Sequence, residues 1–231
     1  MTVNITKKHS ILQVADMAMA GALCMVVLLV PSVLAAQQNW KFRLEKNGIK
    51  VYTAEQPGSK FLWVKSTFEA DATLSQFASV VWNIDKYKLW NFAQGNPYVI
   101  KQTAPNALQY YTEAKSPWPL QDRFMVLNLQ INQDPASGVV NVSLENVPEM
   151  MPQKEGLTRM KAYTSMLTLV PIAAKRLKVE CVVYGDPGGH IPAWAVNLVV
   201  DQMPVRAFTS LKEYLKTTSA ETDQVPFVRN K

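Results

Sequence analysis

Pro117-Trp118-Pro119-Leu120-Gln121-Asp122-Arg123 and, further on, Asp186-Pro187-Gly188-Gly189-His190-Ile191-Pro192-Ala193-Trp194 decide the fold. Pro117 and Pro119 impose an extended, donor-poor corner just ahead of a strand-like run. Gly188 and Gly189 permit a tight turn, and Pro192 stands where the first turn of a long helix begins. The two stretches together imply a sheet whose last strand feeds directly into a C-terminal helix.

Between them lie strands. Arg123 to Asn132 alternates most clearly: Met125, Leu127, Leu129 and Ile131 share one face, and Phe124, Val126, Asn128 and Gln130 the other. Tyr98 to Thr103 and Ala107 to Ala114 read as a hairpin around Ala104-Pro105-Asn106. Asp134 to Gly138 is a turn, Val139 to Leu144 pairs back, and the polar stretch Asn146 to Gly156 is a loop. Thr158 to Pro171 is a long strand, with Met160, Ala162, Thr164 and Met166 on one side against Lys161, Tyr163 and Ser165. Arg176 to Tyr184 follows. Ile191 to Lys216 reads as one helix of 26 residues kinked by Pro204.

Upstream, Trp40 to Lys46 reads as the end of an N-terminal helix closed by Asn47-Gly48. Ile49 to Thr53 and Lys60 to Phe68 are strands separated by the Gln56-Pro57-Gly58-Ser59 turn. Asp71 caps a helix carrying Leu74, Phe77, Ala78 and Val81, which ends near Asp85. The segment after it is rich in aromatics: Tyr87, Trp90 and Phe92 either pin a loop to the core or form a docking patch. This order excludes a doubly wound parallel sheet. It predicts an α+β domain over residues 37–216, an antiparallel sheet with helices on one face, and a polar tail over 217–231.

The first 36 residues do not belong to that domain. Lys7 and Lys8 precede 14 apolar residues from Met17 to Val30, and Val33-Leu34-Ala35-Ala36 supplies small residues for cleavage. That is the pattern of a secretory signal peptide, giving a periplasmic or secreted protein. A retained membrane anchor is the alternative, although 14 helical residues rise only about 21 Å against a hydrocarbon core of about 30 Å. The whole chain carries a net charge of +6; losing Lys7, Lys8 and Asp16 with the leader makes it +5. A mildly basic exported protein suits transient contact with an anionic membrane surface. No Lys/Arg cluster is dense enough for nucleic acid.

Of two cysteines only Cys181 lies outside the leader, so no internal disulfide is expected. Val179 and Val183 flank it on an apolar strand face. His190 is the single histidine beyond the leader. A metal site has too few ligands, no cofactor motif is present, and neither a nucleophile elbow nor a paired-carboxylate signature occurs. As acids and bases an enzyme would have Asp122, Glu113, Asp186, His190 and Asp201, of which Asp122 and Asp186 are equally explained by turn hydrogen bonds.

The order of elements, with Gly48-Ile49-Lys50-Val51-Tyr52, the Asp85 to Trp90 segment, Pro117-Trp118-Pro119-Leu120 with Asp122-Arg123, Arg159, and Asp186-Pro187-Gly188-Gly189 with Ile191 to Asn197, resembles the START (StAR-related lipid-transfer) domains. The resemblance covers roughly Trp40 to Leu215. It implies a helix-grip fold: a curved antiparallel sheet wrapped around a long C-terminal helix, with an internal tunnel that holds one hydrophobic ligand without catalysis. The chain itself is expected to be a monomer. A cyclase or hydrolase acting on an apolar substrate, or an envelope partner-binding module, is the other reading. The tunnel lining expected on this basis is Tyr110, Met125, Leu127, Leu129, Met160, Met166, Cys181, Trp194 and Leu198. Each of these fits a filled core as well as a ligand contact. Some members bury an Arg and a Glu in the tunnel; ungapped alignment places Leu129 and Tyr110 at those positions, implying a more apolar tunnel with the Tyr110 hydroxyl as a polar handle.

Overall fold

The structure, a computed structural model, describes residues 38–91, 94–116, 120–218 and 225–230. Residues 1–36, expected to be a leader, the Pro117-Trp118-Pro119 corner and Phe92 lie outside the described residues. Ten strands form one sheet: β1 (Lys41–Lys46), β2 (Ile49–Glu55), β3 (Leu62–Ala70), β4 (Gln94–Ala104), β5 (Ala107–Ala114), β6 (Arg123–Gln133), β7 (Val140–Asn146), β8 (Thr158–Arg159), β9 (Ala162–Ala173) and β10 (Arg176–Asp186). Their order is β1-β2-β3-β10-β9-β7-β6-β5-β4, with β8 beside β6. All ladders are antiparallel except the two-residue β6–β8 pairing. The curved sheet holds a C-terminal helix, so the fold is the α+β helix grip.

The helices are α1 (Leu74–Trp82), α2 (Ala193–Val199) and α3 (Gln202–Thr217). The single C-terminal helix expected from periodicity is therefore two, broken at Val200 and Asp201. Pro204 explains the position of the break: it has no N–H for the carbonyl of Val200, and it is accommodated in the first turn of α3, where an N–H would be unpaired anyway. Helix α1 is capped by Thr73 rather than Asp71; the Thr73 hydroxyl accepts the Gln76 N–H at 3.2 Å. It ends at Trp82, and a 3-10 helix takes over from Ile84 to Leu89.

Trp40 to Lys46 corrects a second expectation. The segment is the edge strand β1, and Asn47-Gly48 turns it into β2 with φ of 55° and 72°. Two successive positive φ values suit the tight turn of a hairpin as well as a helix terminus, and here pairing with β2 decides between them.

The inner face of the sheet is continuous across strands. Phe68, Val179, Leu169 and Val140 form one row; Ser66, Cys181, Leu167, Val142 and Ile131 the next. Val64, Val183, Ser165, Leu144, Leu129 and Leu108 form a third, and Asn146, Leu127 and Tyr110 a fourth. Helix α3 lays Val205, Leu211 and Leu215 on this face, with Phe208 packed at its margin. On the outer face, Tyr111, Phe124 and Val126 are buried as well, because Met151 and Leu157 of the 147–157 loop cover them. The segment 225–230 departs from a polar tail: Val225 and Val228 are buried, Phe227 meets Trp82 at 5.0 Å, and Asn230 accepts the Ser75 N–H.

Candidate ligand-binding site

The two turns that follow Ser116 and Asp186 are closed by their own side chains. Asp122 accepts the Lys115 ammonium at 2.7 Å and the Ser116 N–H at 2.8 Å. Hydrogen bonding to Lys115 and Ser116 holds its carboxyl below the usual carboxylate range. Arg123, buried on the same strand, donates to the Ser116 hydroxyl and to the carbonyls of Gln121 and Pro187. It thereby ties the start of β6 to the turn at the end of β10. In that turn Asp186 accepts the Gly188 N–H at 3.0 Å and faces Lys161 at 3.3 Å. Gly188 has φ of +65°, and a Cβ there would lie 2.7 Å from the Arg159 carbonyl oxygen, so only glycine fits.

The inner face is closed at one end and accessible at the other. Phe68, Val179, Leu169 and Val140 are buried to 4% exposure or less. Toward the end where β10 leaves for α2, Leu144, Tyr163, Cys181 and Val183 are only half-buried. Yet protein surrounds Tyr163 and Cys181. Burial pushes the Cys181 thiol up to about 11, and pushes the Tyr163 hydroxyl well above the phenol range. Desolvation therefore acts on both groups although each keeps some accessible surface.

Aromatic residues gather beside this region. Tyr87 stands edge-on to Tyr110 with ring centroids 5.8 Å apart, and to Trp90 at 4.9 Å. Burial raises the Tyr87 hydroxyl, the nearby Tyr163 phenol raises it further, and its hydrogen bond with Tyr110 acts in the other direction. Tyr87 also donates to the Val81 carbonyl at 2.6 Å. The Tyr87 and Trp90 pair is thus pinned to the core.

Of the expected lining, Tyr110, Leu127 and Leu129 sit on the inner face with no exposure, Met125 with 5%, and Cys181 is there half-buried. Met160 packs at the margin of the core. Tyr110 and Leu129 are diagonal neighbours on β5 and β6. The remaining three correct the sequence reading. Met166 points outward, 44% exposed, because Leu167 and Leu169 set the parity of β9 and the chain leaves strand geometry between Met160 and Ala162. Trp194 and Leu198 lie on the solvent side of α2, at 72% and 68% exposure. Sequence reasoning missed Tyr163, Ser165 and Asn146; counting alternation back from Leu167 would have placed the first two inside.

Of the acid and base candidates, Glu113 and Asp122 meet only through Lys115, whose ammonium lies 3.9 Å and 2.7 Å from them, and Asp186, Asp201 and His190 lie apart. Glu113 faces outward to accept Tyr111 and Asn96, Asp201 pairs with Arg43 at 3.3 Å, and His190 is exposed. Among the described residues no group of three His, Cys, Asp or Glu is placed to hold a metal ion, and no helix is long and apolar enough to cross a membrane.

The START domain family model matches residues 22–220. The chain belongs to the START domain family. This START domain is 25% identical over 178 residues to an uncharacterized protein of Pseudomonas aeruginosa, covering 77% of this chain and 87% of that protein. It is 26% identical over 164 residues to the phosphatidylcholine transfer protein of Rattus norvegicus, covering 69% and 75%. Among solved structures, the STAR-related lipid transfer protein from Xanthomonas axonopodis superposes with a TM-score of 0.71 at 25% identity, over 77% of this chain and 98% of that one. Human StAR-related lipid transfer protein 5 shares the fold at a TM-score of 0.69 and 15% identity, over 79% and 89%.

Proposed function

We propose that this START domain is a non-catalytic carrier that holds one lipid in a tunnel between the inner face of the sheet and the C-terminal helices. The observation that carries the reading is the largely apolar inner face, on which Leu144, Tyr163, Cys181 and Val183 are left half-buried toward α2. Its relatives named for phosphatidylcholine and other lipid transfer support it. Affinity comes from burial, at about 0.8 kcal/mol per methylene. The protein works after export, as a monomer, in the periplasm or outside the cell, in keeping with the leader-like residues 1–36.

Helix α2 is the gate in this proposal. It is seven residues long and separated from α3 by the break at Val200 and Asp201. One hydrogen bond, from the Asn197 amide to the Lys60 carbonyl at 3.0 Å, joins it to the loop before β3, and the Arg43–Asp201 pair joins its far end to β1. Its outer face carries Trp194, Leu198 and Val199, with Met203 beyond the break, all exposed. Such a surface inserts into a membrane interface while the gate opens. The test is mass spectrometry of organic extracts of the purified protein, with transfer of labelled lipid between vesicles. Bound lipid and transfer support the carrier; absence of both refutes it.

A further inference from the structure

Resting on the carrier reading, we infer that the lipid held is uncharged within the tunnel and presents a hydroxyl or amide hydrogen to Asn146 Oδ1. The four inner-face rows contain no Asp, Glu, Lys or Arg. Among the described residues only Glu113, Arg123 and Asp201 are charged and buried; Glu113 and Asp201 are engaged elsewhere, and Arg123, which shares the β6 face of Met125 and Leu127, has its N–H groups taken up at the rim, beyond the four rows. Glu113 lies on the outer face with Tyr111 and Asn96, Asp201 pairs with Arg43, and Arg123 is bound by the Ser116 hydroxyl and two carbonyls at the rim of the sheet. A phosphate drawn onto these four rows would lose its hydration and meet no counter-charge among them.

Asn146 supplies the complementary half of the argument. It lies on the inner face across from Leu127, in the row that ends at Tyr110. Its Nδ2 donates to the Met160 carbonyl at 3.0 Å, which orients the amide. Its Oδ1 is shut off from solvent and has no hydrogen-bond partner. An amide oxygen can only accept, so what it lacks is a donor. Phosphatidylcholine has no hydrogen-bond donor, and its phosphate would set oxygen against oxygen. A lipid alcohol has one donor and no charge. Trp90 Nε1, buried and unpartnered beside Tyr87, is a neutral donor suited to an ester or hydroxyl oxygen.

The test uses the full chain and donor vesicles of phosphatidylcholine carrying a trace of a fluorescent sterol alcohol, or of the same sterol with its hydroxyl converted to a methyl ether. The alcohol is expected to bind about tenfold more tightly than the ether, the worth of one hydrogen bond to a buried acceptor. Asn146→Leu is expected to abolish that preference while both sterols still bind. If the variant does not fold, the alcohol-to-ether ratio on the unaltered protein decides. Equal binding of alcohol and ether, or carriage of phosphatidylcholine as efficient as that of the alcohol, overturns the inference and leaves the carrier standing. Failure to take up any of the three lipids, together with no lipid in organic extracts of the purified protein, overturns the carrier itself.

Discussion

Phe208 of α3 lies against Phe68 of β3, with ring centroids 4.6 Å apart and the planes tilted by 35°. This contact fastens the long helix to the closed end of the inner face, whereas α2, at the other end, is held by polar links. Under the proposed gating, the Phe208 end stays fixed while the α2 end releases. Phe208→Ala is expected to destabilise the protein by about 3 kcal/mol. Urea unfolding should show it as a lower midpoint with an unchanged slope.

Trp194→Ala combined with Leu198→Ala should behave oppositely. Both side chains are largely in solvent, so stability should change by less than about 0.5 kcal/mol. Under the proposed gating, flotation with anionic vesicles should show reduced membrane association, and lipid transfer should slow. Unchanged flotation would place membrane contact elsewhere.

Glycine substitutions separate conformational strain from steric exclusion. Gly58 has φ of +75° with nothing near a Cβ, whereas Gly188 has φ of +65° with the Arg159 carbonyl 2.7 Å away. Gly58→Ala should lose about 1 kcal/mol, the penalty of the left-handed region. Gly188→Ala should lose clearly more, because backbone must move. Thermal melts of the two variants compare them directly, and equal losses would show that the Gly188 turn yields freely.

The Asp122 carboxyl is held low by Lys115 and the Ser116 N–H, so its folded value lies below its unfolded one. Its contribution is therefore present above the unfolded value, about 4, and is lost as pH falls through the folded value. Wild type should exceed Asp122→Asn in stability at pH 7, and the gap should close on acidification below about pH 4. A gap that widens in acid would contradict this linkage.

Cys181 offers a probe of the proposed tunnel. With its thiol raised to about 11, the reactive thiolate is scarce at neutral pH. Alkylation of the folded protein at pH 8 should be much slower than in urea, and slower again once lipid is bound. Labelling as fast as that of a free thiol would show that the pocket is open to solvent.

Much of this was legible in the linear chain. Met125, Leu127, Leu129 and Ile131 alternate without interruption, and a period of two places them on one face wherever the strand packs. Gly188 before Pro192 marks the exit from β10 because few residues besides glycine tolerate positive φ. The START resemblance rests on such local rules. Where local rules permit two outcomes, long-range pairing decides. Asn47-Gly48 ends a helix or turns a hairpin, and pairing with β2 makes it a turn. Met166 and Tyr163 are both apolar enough for either face, and register with β7 and β10 puts the tyrosine inside. The helix from Ile191 is periodic throughout, yet Pro204 divides it, and Trp194 and Leu198 meet solvent because no element covers them. Above all, the unsatisfied oxygen of Asn146 is invisible in sequence, since hydrogen-bond satisfaction depends on which strands meet around a side chain.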